Sequence, residues 1–177
     1  MSQATASGAD RILGQWRTLA ATTAARYGLD PWIVLGMIAQ ESNGNPYAWR
    51  PEPGFLAKYG DNIPNSLSRV QDAAAALRYR QWWKNDPMVF ATSMGLLQTM
   101  VIVAIEHGTP LEFPTSLCNP AISLDAGCRK LKACADKVGD SPTAVRDMLQ
   151  RYNGGGAPDY HAEVRAWAAA MLQASKG

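Results

Sequence analysis

Apolar residues recur at helical spacing along nearly the whole chain, and no segment alternates convincingly as a strand. That pattern directs the chain to an all-α fold. Ile12, Leu13, Trp16, Leu19, Ala20, Ala24 and Tyr27 fall on one face of a first helix, which Gly28 ends. Asp30-Pro31 then supplies an N-cap followed by proline at the first helical position. The second helix carries the stripe Trp32, Leu35, Ile38 and Ala39, and Gly44 and Pro46 stop it. A third helix is expected over Leu67 to Trp83, closed by Asn85-Asp86-Pro87. A fourth opens near Ser93-Met94-Gly95 and runs through Leu96, Leu97, Met100, Val101, Ala104 and Ile105 to Gly108. Pro120 to Val138 reads as a fifth, and Ser141-Pro142 opens a sixth that reaches about Tyr152. After Gly154-Gly155-Gly156, a last helix carries Tyr160, Val164, Trp167 and Met171. Tyr47 to Asn65 is rich in Pro, Gly, Asn and aromatic residues and reads as a long ordered loop, a kind that often carries function.

With 177 residues, no internal repeat and no flexible Gly/Ser linker, the chain is expected to be one domain, residues 1–177. A net charge of +2 gives little electrostatic footprint for nucleic acid, and no nucleic-acid-binding motif is present. No apolar run reaches the roughly 18 residues of a membrane span, so stable membrane insertion is not expected. The start, Met-Ser-Gln-Ala-Thr-Ala-Ser-Gly-Ala-Asp, has neither the basic nor the apolar region of a signal peptide. The expected location is therefore a cytoplasm, unless something else exports the chain. Cys118, Cys128 and Cys134 are odd in number, which favours free thiols and leaves one disulfide open. His107 and His161 stand at no ligand spacing to them, so no metal is implied. The basic run Arg129-Lys130-Lys132 reads as a solvated helix face.

Against this background Glu41 stands out. It lies in Gln40-Glu41-Ser42, with Asn45-Pro46 after it, in the last turn of the apolar second helix. The helix dipole disfavours negative charge there, and burial beside apolar side chains raises a carboxylic pKa. Both effects favour a neutral acid that can protonate a glycosidic oxygen. An ordinary helix-surface glutamate is the alternative. Two further motifs are Ser93-Met94-Gly95-Leu96-Leu97-Gln98 and Arg151-Tyr152-Asn153-Gly154-Gly155, the latter followed by Tyr160, Val164 and Trp167.

In this order the three motifs resemble those of lytic transglycosylases with the soluble-lytic-transglycosylase, goose-type lysozyme-like fold. The resemblance covers roughly residues 30 to 170, and Trp49-Arg50-Pro51-Glu52-Pro53 looks most like phage-encoded members. Leu97 stands where the family usually has Met, Gly154 where it has Ala, and Arg151 where it has a small residue. The resemblance implies an SLT-type helical domain with a glycan-binding cleft. It implies Glu41 as the sole acid/base, cleaving peptidoglycan between N-acetylmuramic acid and N-acetylglucosamine. The muramyl 6-hydroxyl closes onto C1 to give a 1,6-anhydro end, so no water and no second carboxylate are needed. No cofactor is implied, and the expected partner is the peptidoglycan glycan strand, met by a monomer. A phage endolysin, held in the host cytoplasm until released to the wall, fits this reading.

Candidate substrate contacts follow, each with a structural alternative. Ser42 can bond the acid or the substrate, or cap the helix end. Ser93 can be a ligand contact but reads first as an N-cap. Gln98, one turn on, can point its amide at the glycan or sit on a helix surface. Tyr152 can set its hydroxyl against Glu41 and Asn153 can bond sugar amides; a core tyrosine and a turn asparagine are the alternatives. Glu52 is the candidate second acid, or else an ion-pair partner of Arg50. Tyr47, Trp49 and Tyr160 can stack on sugars or pack into core and loop. Two rival activities stay open: a muramidase that adds water with Glu52, Asp61 or Asp86 placing it, and a non-catalytic peptidoglycan-binding module.

Overall fold

The computed structural model describes residues 5–176, which fold into two compact units. The first holds the chain up to Asn45 and the segment from Cys128 onward; the second is Pro46–Gly127. Helix dominates, as the periodicity requires. Among the described residues no helix is long and apolar enough to cross a membrane, and none of Cys118, Cys128 and Cys134 is in a disulfide.

The first unit is built around α2 (Pro31–Ser42), which packs against α1 (Ala6–Arg26) and α9 (Tyr160–Ala174). Every residue of α2 from Ile33 to Ala39 is buried, so this helix is apolar all round and not merely on one stripe. The Asp30 carboxylate accepts from the Trp32 N–H at 2.8 Å, and Pro31 takes the first helical position, as the sequence indicates. Gly36 brings α2 and α9 together: a Cβ there would stand 2.4 Å from the Val164 carbonyl oxygen. α8 (Ala144–Tyr152) packs on α9, and α7 (Pro120–Val138) supplies its residues from Cys128 onward. α7 has the boundaries expected, whereas α8 starts at Ala144, later than Ser141-Pro142 suggests, with no side-chain cap at Thr143.

The second unit departs further from expectation. The stretch read as a loop contains β1 (Trp49–Pro51), α3 (Pro53–Tyr59), a 3₁₀ turn and the start of α4 (Ile63–Ser68). The single helix expected over Leu67 to Trp83 is two, α4 and α5 (Ala73–Asn85). The Asp72 carboxylate accepts from the Ala75 N–H at 2.7 Å and starts α5 afresh. The helix expected to open at Ser93 is instead a hairpin of β2 (Thr92–Met94) and β3 (Thr99–Met100), and α6 (Val101–Glu106) begins after it. The sheet order is β1-β2-β3, antiparallel, with Arg50 opposite Ser93 and Ser93 opposite Met100. Strands of two and three residues are too short to show alternation, which is why the sequence hides them. Ile63, Leu67, Tyr79, Phe90, Ile102 and Leu117 form the core beneath.

Two glycines stand in opposite surroundings, Gly36 in a tight approach and Gly14 in open space. Gly36→Ala should destabilise the fold by about 1–3 kcal/mol through overpacking. Gly14→Ala, with open space around it in α1, should be neutral or stabilising by up to about 1 kcal/mol. Denaturant unfolding of the two variants checks this; a Gly36→Ala protein as stable as the parent would refute so close a helix contact.

Candidate active site

Glu41 sits in the last turn of α2, partly exposed, where the helix ends in a left-handed turn. Asn43 has φ 50° and Gly44 φ 74°. Their N–H groups return to Ala39 and Ile38 carbonyls, closing the helix end. α1 fastens this turn. The Arg11 guanidinium donates to the Asn43 carbonyl at 2.9 Å and to its side-chain oxygen at 2.7 Å. The Trp16 indole N–H donates to the Gly44 carbonyl at 3.2 Å. A cation at a helix C-terminus also offsets the dipole. The Ser42 hydroxyl donates to the Ile38 carbonyl at 3.1 Å, a bond within the helix.

α9 completes the surroundings of Glu41. The Tyr160 hydroxyl donates to Glu41 Oε1 at 2.5 Å, within the range of charge-assisted O–H···O bonds. Tyr160 is only 3% exposed, so it is no platform for a sugar ring; its hydroxyl faces the acid in the role the sequence suggests for Tyr152. Burial, first, and then the charge of Glu41, the neighbouring Tyr152 and the hydrogen bond to Glu41 push the Tyr160 phenol well above the ordinary tyrosine range. It therefore stays a donor at any working pH. One residue before Glu41, the Gln40 amide donates to Glu163 Oε2 at 2.6 Å, a second tie between α2 and α9.

Tyr152 is buried at the end of α8, and the Lys130 ammonium stands over its ring, 4.0 Å from the centroid. Lys130 is thus not part of a solvated face, although Lys132, paired with Asp136, is exposed. Burial pushes the Lys130 ammonium below the ordinary lysine range, and the charge of Glu41, followed by that of Cys134, acts in the opposite sense. The spacing Ala126, Lys130, Cys134, four residues apart, puts this lysine on the buried face of α7, a signal the sequence does carry. Asn153 caps α8; with its amide oxygen turned to the backbone it accepts from the Ala157 N–H at 2.8 Å and the Gly156 N–H at 3.3 Å. It orders the glycine-rich turn, the alternative the sequence leaves open.

The remaining candidates lie in the second unit. Ser93 is buried in β2 and caps no helix; its hydroxyl lies 3.5 Å from Glu52 Oε1. Glu52 is paired with Arg50, whose Nε donates to Oε1 at 2.7 Å. Gln98 is not on a helix but closes the β2–β3 turn with φ 45°. Its amide donates to the carbonyls of Ala48 at 3.0 Å and Gly95 at 2.9 Å, while the Gly95 N–H also donates to Ala48, at 2.8 Å. Gly95, at φ 77°, cannot be replaced without collision: a Cβ would stand 2.0 Å from the Leu117 carbonyl oxygen. Gln98 and Gly95 therefore shape the hairpin. Tyr47 and Trp49 hold their rings out, 73% and 69% exposed.

A family model described as the transglycosylase SLT domain matches residues 18–169. No curated protein and no solved structure matches the chain.

Spectrophotometric titration at alkaline pH should show a tyrosine that ionises well above the value near 10 of a tyrosine in a peptide. That phase should vanish in Tyr160→Phe. Its persistence in the variant would reject the buried Tyr160–Glu41 contact.

Proposed function

This chain belongs to the transglycosylase SLT domain family of peptidoglycan-cleaving lytic transglycosylases, and we propose that Glu41 is its acid and base. The observation that carries this is the carboxyl of Glu41 at the end of α2, held by the Tyr160 hydroxyl at 2.5 Å. In the first stage Glu41 gives its proton to the oxygen joining N-acetylmuramic acid to N-acetylglucosamine. The C1–O bond breaks and the departing sugar keeps that proton as its hydroxyl hydrogen. In the second stage the muramyl 6-hydroxyl attacks C1 and its proton returns to the Glu41 carboxylate. The product carries a 1,6-anhydro ring, Glu41 is restored, and no water is consumed. Tyr160 contributes by donating to the carboxylate that exists between the two stages.

The pairing of Glu52 with Arg50 supports a reaction with one working carboxylate, since Glu52 already has a structural task. Tyr47 and Trp49 expose flat apolar rings suited to sugar faces. Within this activity we assign the protein to host-wall lysis by a phage, on the likeness of Trp49-Arg50-Pro51-Glu52-Pro53 to phage-encoded members. Such an enzyme would wait in the host cytoplasm for release to the wall, and co-expression with a holin should then clear a culture that neither protein clears alone.

Glu41→Gln should lower release of soluble muropeptides from purified sacculi by roughly 10²–10⁴-fold while leaving the fold and sacculus binding intact. A fully active variant would remove Glu41 from the mechanism. Mass spectrometry of the products should find 1,6-anhydro ends; reducing ends in their place would make the enzyme a hydrolytic muramidase. Tyr160→Phe should lower the rate by about tenfold or more, the worth of a hydrogen bond to a charged group.

A further inference from the structure

We propose that Lys130, held over the ring of Tyr152, is a positioning residue whose ammonium is the countercharge for the Glu41 carboxylate formed midway through the reaction. This rests on the reading of Glu41 as acid and base. The Lys130 Nζ lies 4.0 Å from the Tyr152 ring centroid, a distance at which the ring face attracts the cation and restrains it. Lys130 is partly buried on the same face of α7 as Cys134, so its charge is less screened than that of an exposed lysine. Tyr152 ends α8 and Tyr160 opens α9, which packs on α8, so the ammonium over one tyrosine and the carboxyl bonded to the other belong to one cluster. The charge of Glu41 bears on both Lys130 and Tyr160.

The chemistry explains the need. Once Glu41 has given up its proton, a negative charge sits at the C-terminus of α2, where the dipole opposes it. Tyr160 provides one hydrogen bond to that charge. A nearby cation lowers its energy further, so proton transfer to the leaving sugar becomes less uphill. The cation must not be too strong, because Glu41 has to be protonated when substrate arrives. The α2 dipole works against the cation and so keeps the neutral acid within reach. The groups that bear on Lys130 are Glu41 on α2, Cys134 on α7 and Tyr152 on α8; the Arg151 and Lys137 cations act in turn on Cys134, and Tyr160 on α9 joins through Glu41 and Tyr152. Burial raises the Cys134 thiol above its ordinary range, and Tyr160 is raised as well, so neither adds a negative charge at working pH. Glu41 is the group whose charge changes there.

The sign of the pH effect follows. Removing the cation makes the carboxylate less favourable, so Glu41 keeps its proton to higher pH. The alkaline limb of the rate profile for muropeptide release from sacculi should therefore move upward in Lys130→Met, by about one pH unit. The rate at the optimum should fall about tenfold. Lys130→Arg, which keeps the charge, should leave the limb in place. Lys130→Gln gives the same reading as Lys130→Met should the latter fold poorly. Tyr152→Leu, which removes the ring that restrains the ammonium, should move the limb the same way by less. A folded Lys130→Met or Lys130→Gln enzyme with its alkaline limb unmoved would overturn the proposal, whatever its rate. Glu41→Gln separates the two levels of the argument. If that variant stays active, the reading of Glu41 fails; if it is inactive and the limb is unmoved by loss of Lys130, only the role of Lys130 fails.

Discussion

Gly36 lets α2 lie against α9 with almost no side chain between the two backbones, and the surroundings of Glu41 are set by that contact. Gly36 faces Val164, Gln40 bonds Glu163, and Glu41 meets Tyr160. Moving forward along α2 means moving back along α9, so the helices run antiparallel and the last turn of one meets the first turn of the other. A larger residue at position 36 would push this register apart where the acid and its donor must stay within hydrogen-bond reach. The apolar residues that bury α2 from Ile33 to Ala39 supply the driving force for the packing, at roughly 25 cal/mol per Å² of apolar surface removed from water. Chemistry at one end of the helix depends on packing in its middle.

Under the proposed mechanism the same helix end balances two opposing demands on Glu41. An acid needs its proton when substrate arrives; a base needs to be an anion one step later. The dipole of α2 favours the neutral form. The Tyr160 hydroxyl and, on the role proposed for it, the cation on Lys130 favour the anion. The Arg11 guanidinium is spent on the Asn43 carbonyl and side chain, so it holds the turn and offsets the dipole without capping the carboxylate itself. These opposing contributions suit the proposed mechanism, in which Glu41 changes state twice in each cycle.

Much of the first unit was legible in the sequence. The cap at Asp30, the proline at position 31, the stop after Ser42 and the span of α7 all follow from local signals, because caps and glycine turns are satisfied by neighbours in the chain. The second unit was less legible. Leu96, Leu97, Met100, Val101 and Ala104 have helical spacing, yet the hairpin prevails because Gly95 and Gln98 adopt left-handed backbone and bond to Ala48, about fifty residues earlier. Ser93 and Gln98 accordingly build strand and turn. Tyr160 and Lys130 show the same limit at finer grain. Spacing marks each as lying on a buried face, but not which polar group it will meet there.

The sequence by itself determined the helical class and the family and singled out Glu41, since periodicity, caps and the ordered Glu-Ser, Gly-Leu-Leu-Gln and Tyr-Asn motifs are all written along the chain. Only the tertiary structure decided that Tyr160 donates to Glu41, that Lys130 sits over Tyr152, and that Glu52 is held by Arg50. The physical reason is distance along the chain. A cap or a turn is an interaction between near neighbours and can be read from them, whereas a hydrogen bond between residues 41 and 160 exists only once α2 and α9 have packed.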